Sequence, residues 1–207
     1  MNILLADDHA IVRKGLIQIL REEFSLKYIA EASNAAELFE KVTEREWDII
    51  ILDISMPGRS GIDILKQIRL SGIKAPVLVL SMHSEEQYGL RALRAGASGF
   101  MNKESATSEL VTAVSRITGG RKYVSASLAE LLAADHTSGL PSPISILSDR
   151  EMQVFQLIAR GKTVTEISAE MNLSANTIST YRARILEKLN LKNTAQIIRY
   201  AIDTGVM

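Results

Sequence analysis

The sequence predicts two domains: an α/β domain built on a five-stranded, parallel, doubly wound sheet, and a smaller all-α domain after it. Three observations predict this. Short β-type apolar runs alternate with amphipathic stretches through the first 120 residues, a run of turn formers then breaks the pattern, and beyond it the periodicity is purely helical. A chain of 207 residues suits one domain or two at roughly 100 to 200 residues each, and the break decides for two.

Asn2 to Ala6 reads as the first strand, and the spacing of Ile11, Leu16, Ile19 and Leu20 as the helix after it. Further strands are predicted near Tyr28 to Glu31, Asp48 to Leu52, Pro76 to Leu80 and Gly99 to Met101, each followed by a helical segment ending near Glu44, Ser71, Ala95 and Thr118 respectively. Strands separated by helices need crossover connections, which favour a parallel sheet covered on both faces. After Gly119-Gly120 a short helical segment, Ser127 to Ala134, leads into a linker at Asp135 to Ile146. Four helices follow, at Asp149 to Arg160, Val164 to Met171, Ala175 to Leu189 and Thr194 to Asp203. Ser148 and Glu151 make a candidate capping box at the first, and Gly161 closes it. The predicted boundaries are residues 1–120 for the α/β domain, 121–146 for the connecting helix and linker, and 147–207 for the helical domain.

Composition excludes several classes. No cysteine is present, which removes disulfide frameworks, thiolate zinc sites and cysteine nucleophiles, and leaves oxygen or histidine to hold any metal. No stretch approaches the roughly 20 apolar residues of a membrane span. The N-terminus lacks the basic flank and apolar run of a signal peptide, so a cytoplasmic location is expected. Lys and Arg number 24, as do Asp and Glu. The balance is mildly acidic before Ile144 and mildly basic after it.

In an open parallel sheet, ligands bind beyond the carboxyl ends of the strands. Asp7, Asp8, Asp53, Ser81 and Lys103 all fall just past predicted strand ends. Three carboxylates gathered there repel one another and hold protons more tightly unless a cation neutralises them. Mg2+ suits best, because it takes oxygen ligands, retains waters and combines one or two carboxylates with phosphate oxygens. An aspartate so placed can attack phosphorus to give an acyl phosphate, with Lys103 neutralising an oxygen and Ser81 donating a hydrogen bond. Asp53 is the nucleophile on this reading, since the adjacent Asp7 and Asp8 are better placed as metal holders. Taken singly, each residue reads as an ordinary polar strand end or helix cap, as Asp8 or Ser33 would be. Only the set points to a common ligand.

These residues, with Met56-Pro57-Gly58 after Asp53, resemble the receiver domains of two-component response regulators over about Met1 to Gly120. The resemblance implies a flavodoxin-like fold and Mg2+ bound by Asp8, Asp53 and the backbone carbonyl of Ser55, with Asp7 acting through water. It further implies that Asp53 accepts phosphate from a sensor histidine kinase, that Ser81 moves to contact it, and that Phe100 is the aromatic switch. By residue type alone Phe100 is an ordinary strand aromatic. Ser55 and His83 match positions that tune phosphoryl lifetime in that family; His83 is read as a solvated loop residue, not the phosphodonor.

Along Ala175 to Leu189, a turn of about 100° per residue puts Ile178, Tyr181, Ile185 and Leu189 on one face and Asn176, Ser179, Thr180, Ala183 and Glu187 opposite. A helix entering a major groove needs short side chains toward base edges and flanking cations for phosphates. Arg182, Arg184 and Lys188 would supply the cations, with Lys192 just beyond. The plainer reading is a solvated face with ordinary salt bridges, in which the Arg182 stem packs. The segments Leu147–Glu151, Arg160–Lys162, Glu166–Ser168, Asn176–Ile178 and Lys188–Lys192 resemble the LuxR/FixJ (NarL-like) helix-turn-helix over about Ile146 to Met207. That implies a recognition helix from Ala175, paired half-sites on double-stranded DNA and a last helix contributing to a homodimer. Ile197, Ile198 and Tyr200 fit intradomain core as well. Ser179, Thr180 and Ala183 stand where relatives often carry basic residues, which leaves the operator sequence open.

The expected function is a phosphorylation-controlled DNA-binding transcriptional regulator that is not a turnover enzyme. Two rivals stay open: an Mg-dependent aspartyl phosphohydrolase, and a receiver with an RNA- or protein-binding output.

Overall fold

The computed structural model describes residues 1–56, 60–82, 84–138 and 146–204. Pro57, Gly58 and His83 lie outside the described residues. The chain divides into two compact units, Met1–Ala134 and Asp135–Met207.

In the first unit the strands β1 (Asn2–Ala6), β2 (Tyr28–Ala32), β3 (Ile49–Asp53), β4 (Val77–Ser81) and β5 (Gly99–Asn102) form one parallel sheet in the order β2-β1-β3-β4-β5. Helices α1 (Ala10–Glu23), α2 (Ala35–Val42), α3 (Gly61–Leu70), α4 (Glu85–Arg94) and α5 (Ala106–Thr118) make the crossovers. Strand order reverses between β1 and β3, and the crevice at such a reversal is where this architecture places ligands. Central β3 and β4 are buried at every residue, as their unbroken Ile, Leu and Val runs require. Alternation sends Ile3, Leu5, Ile49, Ile51, Leu78 and Leu80 into one core with Leu16 and Leu20 of α1 and Leu110, Val114 and Ile117 of α5. The alternate strand residues face the other way, where α2 packs on β1 and β2, and α4 on β5.

Strand β1 spans Asn2–Ala6 as predicted, and β2 to β5 each end one residue further than predicted. Asp53 pairs in register with Leu80, and Ser81 with Asn102. A backbone ladder is indifferent to side-chain polarity, so it continues into the polar residues that form the site. A single 3-10 turn, Lys103–Ser105, follows β5 and is capped by Asn102, whose side chain accepts from Glu104 N at 2.9 Å.

Past Gly120 the chain returns to the sheet. Tyr123 N donates to Ser98 O at 3.0 Å, and Phe100 N donates to Tyr123 O at 3.3 Å, a one-residue parallel bridge beside β5. Helix α6 (Ala126–Ser138) begins there and runs past the predicted end at Ala134. Its Leu128 is fully buried, and a Cβ on Gly89 of α4 would meet Leu128 Cδ1 at 2.8 Å. These contacts draw the first unit on to Ala134.

The second unit contains α7 (Asp149–Ala159), α8 (Val164–Met171), α9 (Ala175–Lys188) and α10 (Thr194–Asp203). Helix α7 packs against α9 and α10, and α8 against α9. Val154, Phe155, Ile167, Ile178, Ile185 and Ile197 are wholly buried, and Phe155 meets Tyr200 edge to face at 6.3 Å. Ile197 and Tyr200 therefore serve the intradomain core. The Ser148–Glu151 capping box forms as predicted, and Gly161 closes α7 at a φ of +80°. Asn172, at a φ of 55°, ends α8 in the left-handed region and starts the turn into α9.

Candidate functional site

Asp7 and Asp8 leave the end of β1, Asp53 ends β3, and Lys103 opens the turn after β5. Asp7 and Asp53 are wholly buried, and the Lys103 side chain is 6% exposed. Lys103 Nζ lies 2.7 Å from Asp7 Oδ2 and 2.7 Å from Asp53 Oδ2. Local backbone holds the carboxylates in place. His9 N donates to Asp7 Oδ1 at 2.7 Å, Ser55 N donates to Asp53 Oδ1 at 3.0 Å, and the Arg13 guanidinium donates to the Asp7 carbonyl at 2.6 Å.

The electrostatics follow from burial. Desolvation pushes the Asp53 carboxyl above its ordinary range; Lys103 and the Ser55 N–H pull it part of the way back, and neighbouring Asp7 adds to the rise. Burial works against the Lys103 charge, yet Asp53 and Asp7 together hold its ammonium more firmly protonated than in water. Beyond these ion-pair contacts, Asp7 Oδ2, Asp8 Oδ1 and Asp53 Oδ2 are buried without a hydrogen bond. Three carboxylates beside one ammonium leave negative charge to be met, and buried charge that is only partly balanced is costly. Ligand atoms of Asp7, Asp8, His9 and Asp53 lie within 4.8 Å of one another, a spread that one cation can bridge.

Ser81 is buried at the end of β4, one strand over from Asp53, and Phe100 is buried in β5 in register with Val79. Two residues of the site were missed by sequence reasoning. His9 Nδ1 stands 2.8 Å from Asp8 Oδ1, and the signal for it was its place directly after the Asp pair. Gly61 carried no such signal. A Cβ there would lie 2.5 Å from the Asp53 carbonyl oxygen and 2.6 Å from Ile54 Cα, so only glycine lets α3 start against the backbone that carries Asp53.

In the second unit, Asn176, Ser179, Thr180, Arg182, Ala183 and Arg184 are exposed along α9, and Lys192 is exposed beyond it. Ser174 caps the helix, accepting from Thr177 N at 3.1 Å, and the Thr180 hydroxyl donates back to Asn176 O at 2.9 Å. Lys188, read from the sequence as a flanking cation, is exposed at the end of α9 and also pairs within the domain. Its Nζ lies 2.6 Å from Glu151 Oε2 and donates to Ile146 O at 3.3 Å, because the last turn of α9 runs beside the start of α7. Among the described residues, no helix is long and apolar enough to cross a membrane.

The family model for the response regulator receiver domain matches residues 3–115, and that for bacterial regulatory proteins of the luxR family matches residues 145–201. The chain belongs to the response regulators of the luxR family. The regulator is 32% identical over 208 residues to the response regulator UvrY of Escherichia coli (strain K12), covering all of this chain and 95% of UvrY. It is 34% identical over 216 residues to the oxygen regulatory protein NreC of Staphylococcus epidermidis, covering all of this chain and 99% of NreC. Among solved structures it is similar to RcsB from Salmonella enterica serovar Typhimurium bound to promoter rprA with the phosphomimetic BeF3-, at a TM-score of 0.63 and 26% identity over 97% of each chain. A structure of two RcsB dimers bound to two parallel DNAs gives a TM-score of 0.60 at 28% identity, again over 97% of each chain. The regulator is a DNA-binding transcription regulator, and the phosphohydrolase and the RNA- or protein-binding output are not favoured.

Proposed function

We propose that the regulator accepts a phosphoryl group on Asp53 from a sensor histidine kinase and thereby changes how its C-terminal domain engages double-stranded DNA. The observation that carries this reading is the Asp53 carboxylate, buried at the switch point of the sheet, backed by Asp7 and faced by the Lys103 ammonium. Asp8, Asp53 and the backbone carbonyl of Ser55 would hold Mg2+, with Asp7 acting through a water. The convergence of their carboxylate oxygens, with more acidic groups than the one Lys103 ammonium can balance, supports that fit. When bound, Mg2+ supplies charge neutralisation to phosphoryl oxygens.

An Asp53 carboxylate oxygen attacks phosphorus on the kinase phosphohistidine. The P–O bond forms as the P–N bond breaks, and the imidazole leaves with a proton. Lys103 neutralises one transferred oxygen, Ser81 donates a hydrogen bond to another, and Phe100 follows Ser81. Linkage then requires the two receiver states to bind DNA differently. Asn176, Ser179, Thr180 and Ala183 face the bases, and Arg182, Arg184 and Lys192 the phosphates. The RcsB dimers on DNA support a homodimer on paired half-sites. A cytoplasmic location is part of this reading, since both the DNA and the phosphodonor would be met there. The acyl phosphate is a signal, so the chain is not a turnover enzyme.

Incubation with acetyl phosphate and Mg2+ tests the assignment. Wild type forms an acid-stable, base-labile acyl phosphate and Asp53→Ala does not. Equal labelling of the two would remove Asp53 from the role, and multiple turnover on a phosphomonoester would favour a phosphohydrolase instead.

A further inference from the structure

Glu151 is 2% exposed and occupies the third position of α7. Its Oε2 accepts from Ser148 N at 2.7 Å, which completes the capping box, and also receives the Lys188 ammonium at 2.6 Å. Lys188 reaches back from the last turn of α9 across 37 positions of sequence, and its second donation goes to the carbonyl of Ile146, where the described chain enters the helical domain. One ammonium thus joins three points: the start of the domain, the cap of α7 and the end of α9. The Lys188 side chain is 38% exposed and keeps one N–H, but leaving Glu151 for a DNA phosphate would strand the Glu151 charge buried and unpaired.

We propose that Lys188 is a positioning residue: a strut that sets the angle of α9 against α7 through Glu151, and not a phosphate contact. The proposal rests on the reading of α9 as the helix that meets DNA. It gives Glu151→Gln a definite sign. Glutamine keeps the shape and the capping box but releases the lysine. If Lys188 were a phosphate ligand, releasing it would leave DNA affinity unchanged or raise it, with a steeper salt dependence. As a strut it loses its anchor, and affinity falls.

The test is duplex affinity of the full chain, titrated by fluorescence anisotropy against KCl concentration. Glu151→Gln and Lys188→Met each weaken binding roughly tenfold, the scale of one charge-assisted hydrogen bond, with the slope of log K against log salt kept. The double variant is no weaker than either single one. Lys188→Arg, which keeps a cation within reach of Glu151, retains affinity closer to wild type than Lys188→Met does. Arg184→Ala, the phosphate-contact control, lowers the slope by about 0.9. A slope lowered by about 0.9 in Lys188→Met, or tighter binding by Glu151→Gln, overturns the strut. A wild-type chain without salt-dependent duplex affinity removes the reading of α9 and the strut with it. Thermal melts confirm that each variant is folded at the assay temperature, and Glu151→Gln decides the question should Lys188→Met fail to fold.

Discussion

The Lys103 ammonium sits between two wholly buried carboxylates, 2.7 Å from Asp53 Oδ2 and 2.7 Å from Asp7 Oδ2. It is the internal counter-charge of the acidic notch. Removing one partner from a buried pair costs about 3 to 5 kcal/mol, because the other charge stays desolvated. Lys103→Met is therefore expected to lower stability by up to that amount in the presence of a chelator. Added Mg2+ should raise the Tm of the variant more than that of wild type, since the cation replaces the lost charge. Equal Mg2+ shifts in differential scanning fluorimetry would speak against the notch as the metal site.

Gly61→Ala tests how tightly α3 is set against the Asp53 backbone. The added methyl meets backbone atoms at 2.5 and 2.6 Å, where no flexible side chain can yield. The expected loss is about 1 to 3 kcal/mol in urea unfolding. Acyl phosphate should also form more slowly, because relief of the clash displaces Asp53. A variant with wild-type stability and labelling rate would show that α3 shifts freely.

Leu128→Ala probes the segment after Gly120. Leu128 is fully buried against Gly89, so truncation should cost about 2 to 5 kcal/mol, as for other core leucines. The loss should appear in the melting transition of the first unit. A change within about 0.5 kcal/mol is what an exposed connector would give.

Acid stability follows from the capping carboxylates. Burial pushes Glu151 up, but the Lys188 ammonium and the Ser148 donors more than offset this and hold it below its ordinary value; the Ser33 N–H does the same for Glu37, and the Thr163 N–H for Glu166. A carboxyl lowered in the folded state adds stability above its unfolded value of about 4.3 and loses it as pH falls through the folded value. Asp53 is raised and works in the opposite direction. The comparison is therefore a difference: the Tm gap between wild type and Glu151→Gln should be widest near pH 6 and shrink below about pH 4.3. A gap constant from pH 6 to pH 3 would remove Glu151 from the acid response.

Much of the first unit was legible in its residues. The alternation of apolar strands and amphipathic helices gave element order and a parallel sheet, since both periods are read from neighbouring residues. Asp7, Asp8, Asp53 and Lys103 were found by their place after strands, and the fold brings them together. Strand ends were read one residue short at Asp53 and Ser81, because side-chain polarity conceals a backbone ladder that continues. The second unit was legible down to the Ser148 capping box and Gly161, which are local signals.

What the residues alone determined is whatever depends on near neighbours: the elements, their order, their caps and the presence of acidic groups at strand ends. Which charge meets which was decided only by packing. Lys103 and Lys188 look alike in sequence, yet one neutralises the acidic notch and the other is held by a glutamate 37 positions away. Gly61 shows its purpose only against the backbone of β3, and Tyr123 only beside β5. The physical reason is that Coulomb and steric energies depend on distance in space, and folding brings together residues that the chain keeps far apart.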